Sequence, residues 1–448
     1  MTGKYQAYSS IKESNVSWLC EIPSHWNLNR FKNIFRIKKR IAGKLGYDIL
    51  SITQKGIKIK DTEAGDGQLS MDYSKYQLVY KNDFAMNHMD LLTGYVDISK
   101  HDGVTSPDYR VFTLEDKHSH KKYFLYLLQL CYTAKIFYPL GQGASNIGRW
   151  RLPTEAFNEF VAPSPPLNEQ IKIANFLDHE TIKIDTLIEK QQQLIKFLKE
   201  KRRTVISHAV TKGLNPNAKM RDSGVEWLGE VPEHWEVKRL KNTSKIVDCR
   251  NKTPEYFTEG DYFVVRTTNI KNQTLSMDGA LFTDAKNFKI WTQRGIPPTG
   301  SILFTREAPA GEVCRAPENV KFCLGQRMMN FICNDEEYTD FLFDFLLSDC
   351  LEIYIKSVSH GSTVSHLRVE QVENIPVLVP PMTEGKEIHQ YLSSIKLKFL
   401  KLTQEAEAAI ALMQERRIAL ISAAVTGKID VKNWTTPKEN QTNKEVVA

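Results

Sequence analysis

One helical segment occurs twice in this chain. The first copy, PPLNEQIKIANFLDHETIKIDTLIEKQQQLIKFLKEKRRTVISHAVTKG, runs from Pro165 to Gly213, and the second opens at Pro380-Pro381 and ends at Thr426-Gly427. The copies align without a gap at an offset of 215 residues. Pro165, Pro166, Glu169, Ile173, Leu177, Lys183, Leu187, Ile195, Arg202, Ile206, Ser207 and Val210 match Pro380, Pro381, Glu384, Ile388, Leu392, Lys398, Leu402, Ile410, Arg417, Ile421, Ser422 and Val425. An inserted residue would turn every later side chain by about 100° around the helix axis, so the length itself is constrained. A Pro-Pro stop followed by no Gly or Pro before Gly213 predicts one long helix, with a break expected at Asp178-His179. Ile184, Ile188, Gln191, Ile195, Leu198, Val205 and Ala209 recur at steps of three and four. That is a heptad-like stripe, which Leu187 and Leu194 widen toward a second partner.

A second marker is also repeated. Residues 14–33 read SNVSWLCEIPSHWNLNRFKN, residues 223–242 read SGVEWLGEVPEHWEVKRLKN, and 11 of the 20 positions are identical. The offset here is 209. The chain is therefore a tandem duplication whose second half gained six residues between the two markers. Repeats of this size are whole domains rather than solenoid units. Each half has a fixed opening motif, a divergent body and a fixed closing helix. The bodies read as α+β, with strands expected at ILSITQKGIKIK, YQLVYKNDFAMN and YRVFTL, and at YFVVRTTNI, SILFTRE and MMNFIC. One helix is expected in each, at Lys121 to Phe137 and at Asp335 to Ser357. A polar turn follows each helix.

At 448 residues the chain has room for several domains. The net charge is +7, and the excess is local: Thr181 to Lys212 carries eight Lys/Arg against three acids. A basic excess suits an acidic partner such as DNA, although on a helix it also serves as a solvated face. The seven Cys form no CxxC pair and no metal spacing, which reads as reduced thiols in a cytoplasmic protein. The first residues lack an apolar signal core, and no apolar run is long enough for a membrane span. The tail from Val431 to Ala448 is polar, and disorder is expected there.

Catalytic motifs are sparse. The phosphate-loop pattern GxxxxGK[ST] is missing, and so is the Asn/Asp-Pro-Pro-aromatic motif of amino-methyltransferases, since Pro380-Pro381 follows Val379. Pro107-Asp108 with Glu115-Asp116-Lys117 matches a PD…ExK metal-nuclease string. The plainer reading is a strand followed by a charged turn. His118 and His120 read as solvated loop residues rather than ligands, and Trp18, Trp26, Trp227 and Trp235 as packing residues, because target readers should diverge between repeats.

The opening motif WLGEVPEHWEVKRLK, the segment PPLNEQIKIANFLD and the helix end EKRRTVISHAVTKGL together resemble the specificity subunit of type I restriction–modification systems. The resemblance covers nearly the whole chain and its order of body, helix, body, helix. It implies an α+β chain of two pseudo-repeated target-recognition domains separated by two long antiparallel helices, a coiled coil. The expected divisions are 1–160 and 214–376 for the two domains, 161–213 and 377–430 for the helices, and 431–448 for the tail. Each domain would read one half of a bipartite site on double-stranded DNA. The helices would set the spacing and dock two modification subunits, which methylate adenine with S-adenosylmethionine, and restriction subunits would add an ATP- and Mg-dependent nuclease. The chain itself would be non-catalytic, with no cofactor, metal or membrane of its own. Other readings are a specificity subunit of a related type II-like or orphan methylation system, a single-chain nuclease using the PD…ExK string, and a coiled-coil scaffold without DNA binding.

Base readout in a major groove favours Arg for guanine and Asn or Gln for adenine, while phosphates take Lys, Arg and hydroxyls. On that chemistry the candidates in the first body are Asn87, Gln142, Ser145, Asn146 and Arg149. In the second body they are Arg266, Asn269, Lys271, Arg306, Gln326, Arg327, Ser362 and Thr363.

Overall fold

The computed structural model describes residues 5–61, 73–143, 150–249, 252, 254–271, 273–307, 309–358 and 366–435. The chain forms two compact units, one of Met1–Gln191 with Ala408–Ala448 and the other of Gln192–Glu407.

The first unit opens with a hairpin of β1 (Ile11–Glu13) and β2 (Glu21–Pro23), followed by β3 (Asn27–Arg30), the single turn α1 (Phe31–Ile34) and β4 (Phe35–Lys38). The body contributes β5 (Leu50–Thr53), β6 (Gly56–Ile59), β7 (Gln77–Val79), β8 (Phe84–Met86), β9 (Val96–Ile98), β10 (Gly103–Thr105), β11 (Arg110–Leu114) and α2 (Lys121–Thr133). Strands β4, β11, β8 and β9 form, in that order, an antiparallel sheet. Its buried face carries Phe35, Phe84 and Phe112, with the last two rings stacked at 5.1 Å. Each such ring contributes about 1.5–3 kcal/mol relative to exposure. After α3 (Thr154–Glu159), β12 (Val161–Ser164) pairs with β3 and returns the chain to its opening motif. Helix α4 (Leu167–Lys212) begins there and runs 46 residues into the second unit.

The second unit repeats the plan. β13 (Met220–Asp222) and β14 (Glu230–Pro232) form the opening hairpin, followed by β15 (Glu236–Arg239), α5 (Leu240–Thr243) and β16 (Ser244–Asp248). Its body contains β17 (Tyr262–Val265), the ribbon β18 (Ile270–Lys271) and β19 (Thr274–Leu275), β20 (Phe282–Thr283), α6 (Ala285–Trp291), β21 (Ile302–Thr305), β22 (Val313–Arg315), β23 (Phe322–Leu324) and β24 (Met328–Cys333). Then come α7 (Thr339–Leu346), α8 (Asp349–Val358), α9 (Val369–Glu373), β25 (Pro376–Val379), which pairs with β15, and α10 (Met382–Val425). The helix expected over Asp335 to Ser357 is thus two. Ser348 separates them, its hydroxyl accepting from Cys350 N–H at 3.3 Å.

The divergent bodies each contain a sheet of the same topology. The order β16-β24-β21-β22 repeats β4-β11-β8-β9, and the registers agree. Phe35 opposes Leu114 as Ser244 opposes Cys333; Phe84 opposes Phe112 as Ile302 opposes Phe331; Met86 opposes Val96 as Phe304 opposes Val313.

Helix α4 has no break at Asp178-His179. Asp178 lies within it, accepting from the Tyr126 hydroxyl at 2.9 Å and pairing with Lys122, both on α2. A neighbouring helix thus occupies the polar group that looked like a helix stop. In the first unit, Ile184 and Ile188 of α4 share a core with Met413, Leu420 and Ile421 of α10, and Arg417 Nε donates to Asp185 Oδ1 at 2.9 Å. Nearer the start of α4, Phe176 meets Trp434, so the two segments run antiparallel. In the second unit, Ile206, Ala209 and Val210 pack with Ile388 and Leu392, and Gly213 lies beside Glu384, which is antiparallel again. The stripe residues are buried or half-buried, whereas Leu187 and Leu194 are 50% and 43% exposed. At the start of the expected tail Val431 is buried and Trp434 also packs against His179; residues 436–448 lie outside the described residues. No helix among them is long and apolar enough to cross a membrane.

Candidate nucleic-acid interface

Each body is held by the same clamp. In the first unit the buried Glu169 carboxylate, in the first turn of α4, accepts from Trp26 Nε1 at 3.0 Å and from the Tyr8 hydroxyl, and contacts His25 Nε2 at 2.8 Å. Burial and the neighbouring carboxylate push the Tyr8 hydroxyl far above its ordinary pKa, so it remains a donor. In the second unit Glu384 accepts from Trp235 Nε1 at 3.0 Å and contacts His234 Nε2 at 2.7 Å. Trp26 and Trp235 are fully buried, in keeping with a packing role.

The clamps leave one end of each sheet to carry variable residues. In the second unit, the C-terminal ends of β16 and β21 and the start of β24 lie together because β24 is antiparallel to both. Asp248, Arg306, Glu307 and Arg327 meet at this rim. Arg327 Nε pairs with Glu307 Oε2 at 2.9 Å, and His366 Nδ1 with Glu307 Oε1 at 2.5 Å. Arg306 and Arg294 face Asp248 at 3.6 and 3.7 Å. Strand β17 adds Arg266 to the same rim. Gly325 N–H donates to Val265 O at 2.8 Å, and a Cβ on Gly325 would lie 2.7 Å from that oxygen, so only glycine permits the approach. Gln326 is exposed, and Lys271 is exposed on the β18–β19 ribbon.

Three candidates are less available than their residue types suggest. Asn269 is fully buried: its Oδ1 accepts from Arg266 N–H at 3.1 Å and its Nδ2 donates to Ser276 O at 3.2 Å. It closes a turn, and its buried amide is engaged there rather than presented to a base. Arg306 is 7% exposed and faces Asp248, which makes it a support within the rim. Arg266 donates to Gly279 O at 2.7 Å. Ser145, Asn146, Arg149, Ser362 and Thr363 lie outside the described residues.

In the first unit the matching end carries Asn87 and His88 after β8. Asn87 Oδ1 accepts from Met89 N–H at 3.2 Å, and the Tyr132 hydroxyl donates to Asn87 O at 2.8 Å. Leu152 N–H donates to His88 O at 2.9 Å, and Gln142 exchanges two backbone hydrogen bonds with Arg151. Exposed Gln142 is thereby drawn toward this end. Burial first, then the charges of Arg110 and Arg151, lower His88 to a pKa of about 3, so it is neutral at working pH. Arg151 is the rim residue missed from sequence; its side chain does not mark itself without knowledge of the sheet.

The PD…ExK string does not converge. Asp108 precedes the five-residue strand β11 and Glu115 follows it, so at about 3.3 Å per residue they lie roughly 20 Å apart. Glu115 pairs with Lys38 at 2.5 Å, and Asp116 accepts from His118 N–H at 3.1 Å. Among the described residues no group of three or more His, Cys, Asp or Glu could hold a metal ion.

A family model for the type I restriction modification DNA specificity domain matches residues 23–197 and 232–412. The chain belongs to this family. The two matches coincide with the two halves of the duplication. The chain is 24% identical over 436 residues to the putative type I restriction enzyme MjaX specificity subunit of Methanocaldococcus jannaschii, covering 92% of this chain and 95% of that one. It is 21% identical over 289 residues to the type I restriction enzyme EcoKI specificity subunit of Escherichia coli, covering 61% and 59%. Its fold matches the crystal structure of the HsdS subunit from Thermoanaerobacter tengcongensis, with a TM-score of 0.50, 14% identity and coverage of 93% and 100%. It also matches a chain from a study of complex assembly and conformational transition of the type I R-M system, with a TM-score of 0.65, 13% identity and coverage of 91% and 99%. This chain is accordingly a DNA-recognition subunit of a type I restriction–modification system.

Proposed function

We propose that each unit reads one half of a bipartite site on double-stranded DNA, and that the chain does so without catalysing a reaction. One observation carries this reading: the same sheet order and the same Trp–His–Glu clamp in both units present unlike side chains at the matching rim. The helices α4 and α10 would set the gap between half-sites. They would also dock two modification subunits that supply adenine methylation with S-adenosylmethionine, with restriction subunits adding the ATP- and Mg-dependent steps. Two-fold docking is supported by exposed apolar residues at repeat-matched positions. The first unit exposes Ile182, Leu187 and Leu412; the second exposes Leu397, Leu402 and Phe197. Repeated positions suit two copies of one partner. Co-expression with the modification subunit tests this. The expected product carries two modification subunits per chain and methylates adenine in one discrete bipartite sequence. Methylation at a continuous sequence, or cleavage by the isolated chain with Mg²⁺, would refute it.

A further inference from the structure

Resting on that reading, we propose that the half-site read by the second unit contains a guanine recognised by Arg327, with Glu307 as its positioning residue. Arg327 sits at the start of β24 with φ +74, a left-handed conformation that an arginine adopts only at some cost. Its backbone is fixed there from both sides: its N–H donates to Cys249 Sγ at 3.2 Å and its carbonyl accepts from Arg306 N–H at 2.9 Å. The side chain is 46% exposed and is tethered only through Nε, to Glu307; among the described residues neither Nη atom has a partner. Glu307 is itself held by His366.

Arginine serves either a phosphate or a guanine edge, and the carboxylate decides between them. A phosphate is an anion, and Glu307 offsets the guanidinium charge from 2.9 Å while repelling any phosphate that approaches it. A guanine edge is neutral and offers two acceptors, N7 and O6, side by side. The two Nη donors suit that pair, and Glu307 keeps the fork pointing one way. The first unit differs here. Counting along the matched strands, Arg327 falls where the first unit has exposed Asp108, and Arg306 where it has His88. An aspartate accepts hydrogen bonds and cannot donate to guanine N7, so the two rims cannot read the same base at this position.

The test uses the chain assembled with its modification subunit. Sequencing of methylated adenines first defines the wild-type motif, and a discrete bipartite motif with no guanine in either half would overturn the inference while leaving the proposed function standing. Binding is then measured on a duplex bearing guanine or 7-deazaguanine at each guanine of the motif, from 50 to 200 mM salt. Wild type is expected to lose roughly 5- to 150-fold at one guanine when N7 is removed. Arg327→Ala, which removes the contact to O6 as well, should lose at least that factor on the guanine duplex, show no further loss on the deaza duplex, and keep the wild-type salt slope. Glu307→Gln, which frees the guanidinium charge, should steepen the slope by about one and bind non-target DNA more tightly. A loss for Arg327→Ala that is equal on all sequences, with a slope shallower by about one, would mean a phosphate contact and refute the assignment. If Arg327→Ala fails to assemble, the wild-type deaza series and Glu307→Gln still decide: no sensitive guanine, or an unchanged slope, refutes it.

Discussion

Replacing Glu169 by Ala should destabilise the first unit more than the matching Glu384→Ala destabilises the second. The difference follows from what each carboxylate serves. Removing Glu169 strands the Tyr8 hydroxyl and Trp26 Nε1, at residues 8% and 0% exposed. A buried donor left without an acceptor costs about 1–3 kcal/mol, so the loss is about 2–6 kcal/mol. His25 is 39% exposed at its side chain and can turn to water. Glu384 serves Trp235 Nε1 and the half-exposed His234, so its removal strands one buried donor and costs about 1–3 kcal/mol. Glu169→Gln should fall between, because one oxygen remains while an added N–H₂ faces donors. Hydrogen exchange of peptides around residues 19–31 and 228–240, with urea unfolding of each variant, reads the two units separately. Equal losses, or a Glu169→Ala cost below about 1 kcal/mol, would refute the clamp reasoning.

His389 Nδ1 contacts the fully buried Asp344 at 2.9 Å, with Lys396 on the same carboxylate and Asp340 at 3.9 Å. The hydrogen bond to Asp344 raises the His389 pKa, against the opposing effects of burial and Lys396. A raised folded-state value stabilises fully below the ordinary histidine range near 6.5 and is lost as pH rises through the folded value, so the melting temperature of the second unit should fall over that window, and His389→Gln should flatten the profile. Gly427→Ala should cost more than Gly213→Ala: both have φ above +70°, worth about 1–2 kcal/mol, but the added Cβ meets Pro23 Cδ at 2.3 Å in one case and the end of Glu384 at 2.9 Å in the other. Similar losses in thermal unfolding would contradict this. Four residues inserted between Gln191 and Gln192, matched by four between Glu407 and Ala408, lengthen each helix by about 6 Å. The methylated motif should gain one or two base pairs in its gap with both half-sites intact, and altered half-sites would count against the helices as spacers.

The duplicated plan is legible in the sequence because the clamp needs particular residues. His25-Trp26 and His234-Trp235 must meet Glu169 and Glu384, so these positions are identical across the repeats. The shared sheet is not legible, because its interior accepts different residues at equal register, as with Phe35 and Ser244. Only a few pairs, such as Phe112 and Phe331, keep their type. Helix continuity at Asp178 was hidden for another reason: a polar residue reads as a stop until its partners Lys122 and Tyr126 arrive from a distant helix. Among the candidate readers, sequence identifies Arg327 and Gln326 by chemistry, but it cannot separate them from Asn269, whose amide is consumed by its own turn.

Exchange of residues 243–376 for the body of another family member, followed by sequencing of methylated adenines, tests the division of labour most directly. One half of the bipartite motif should change while the other half and the gap stay as they were. A change in both halves, or in neither, would contradict independent reading by the two units.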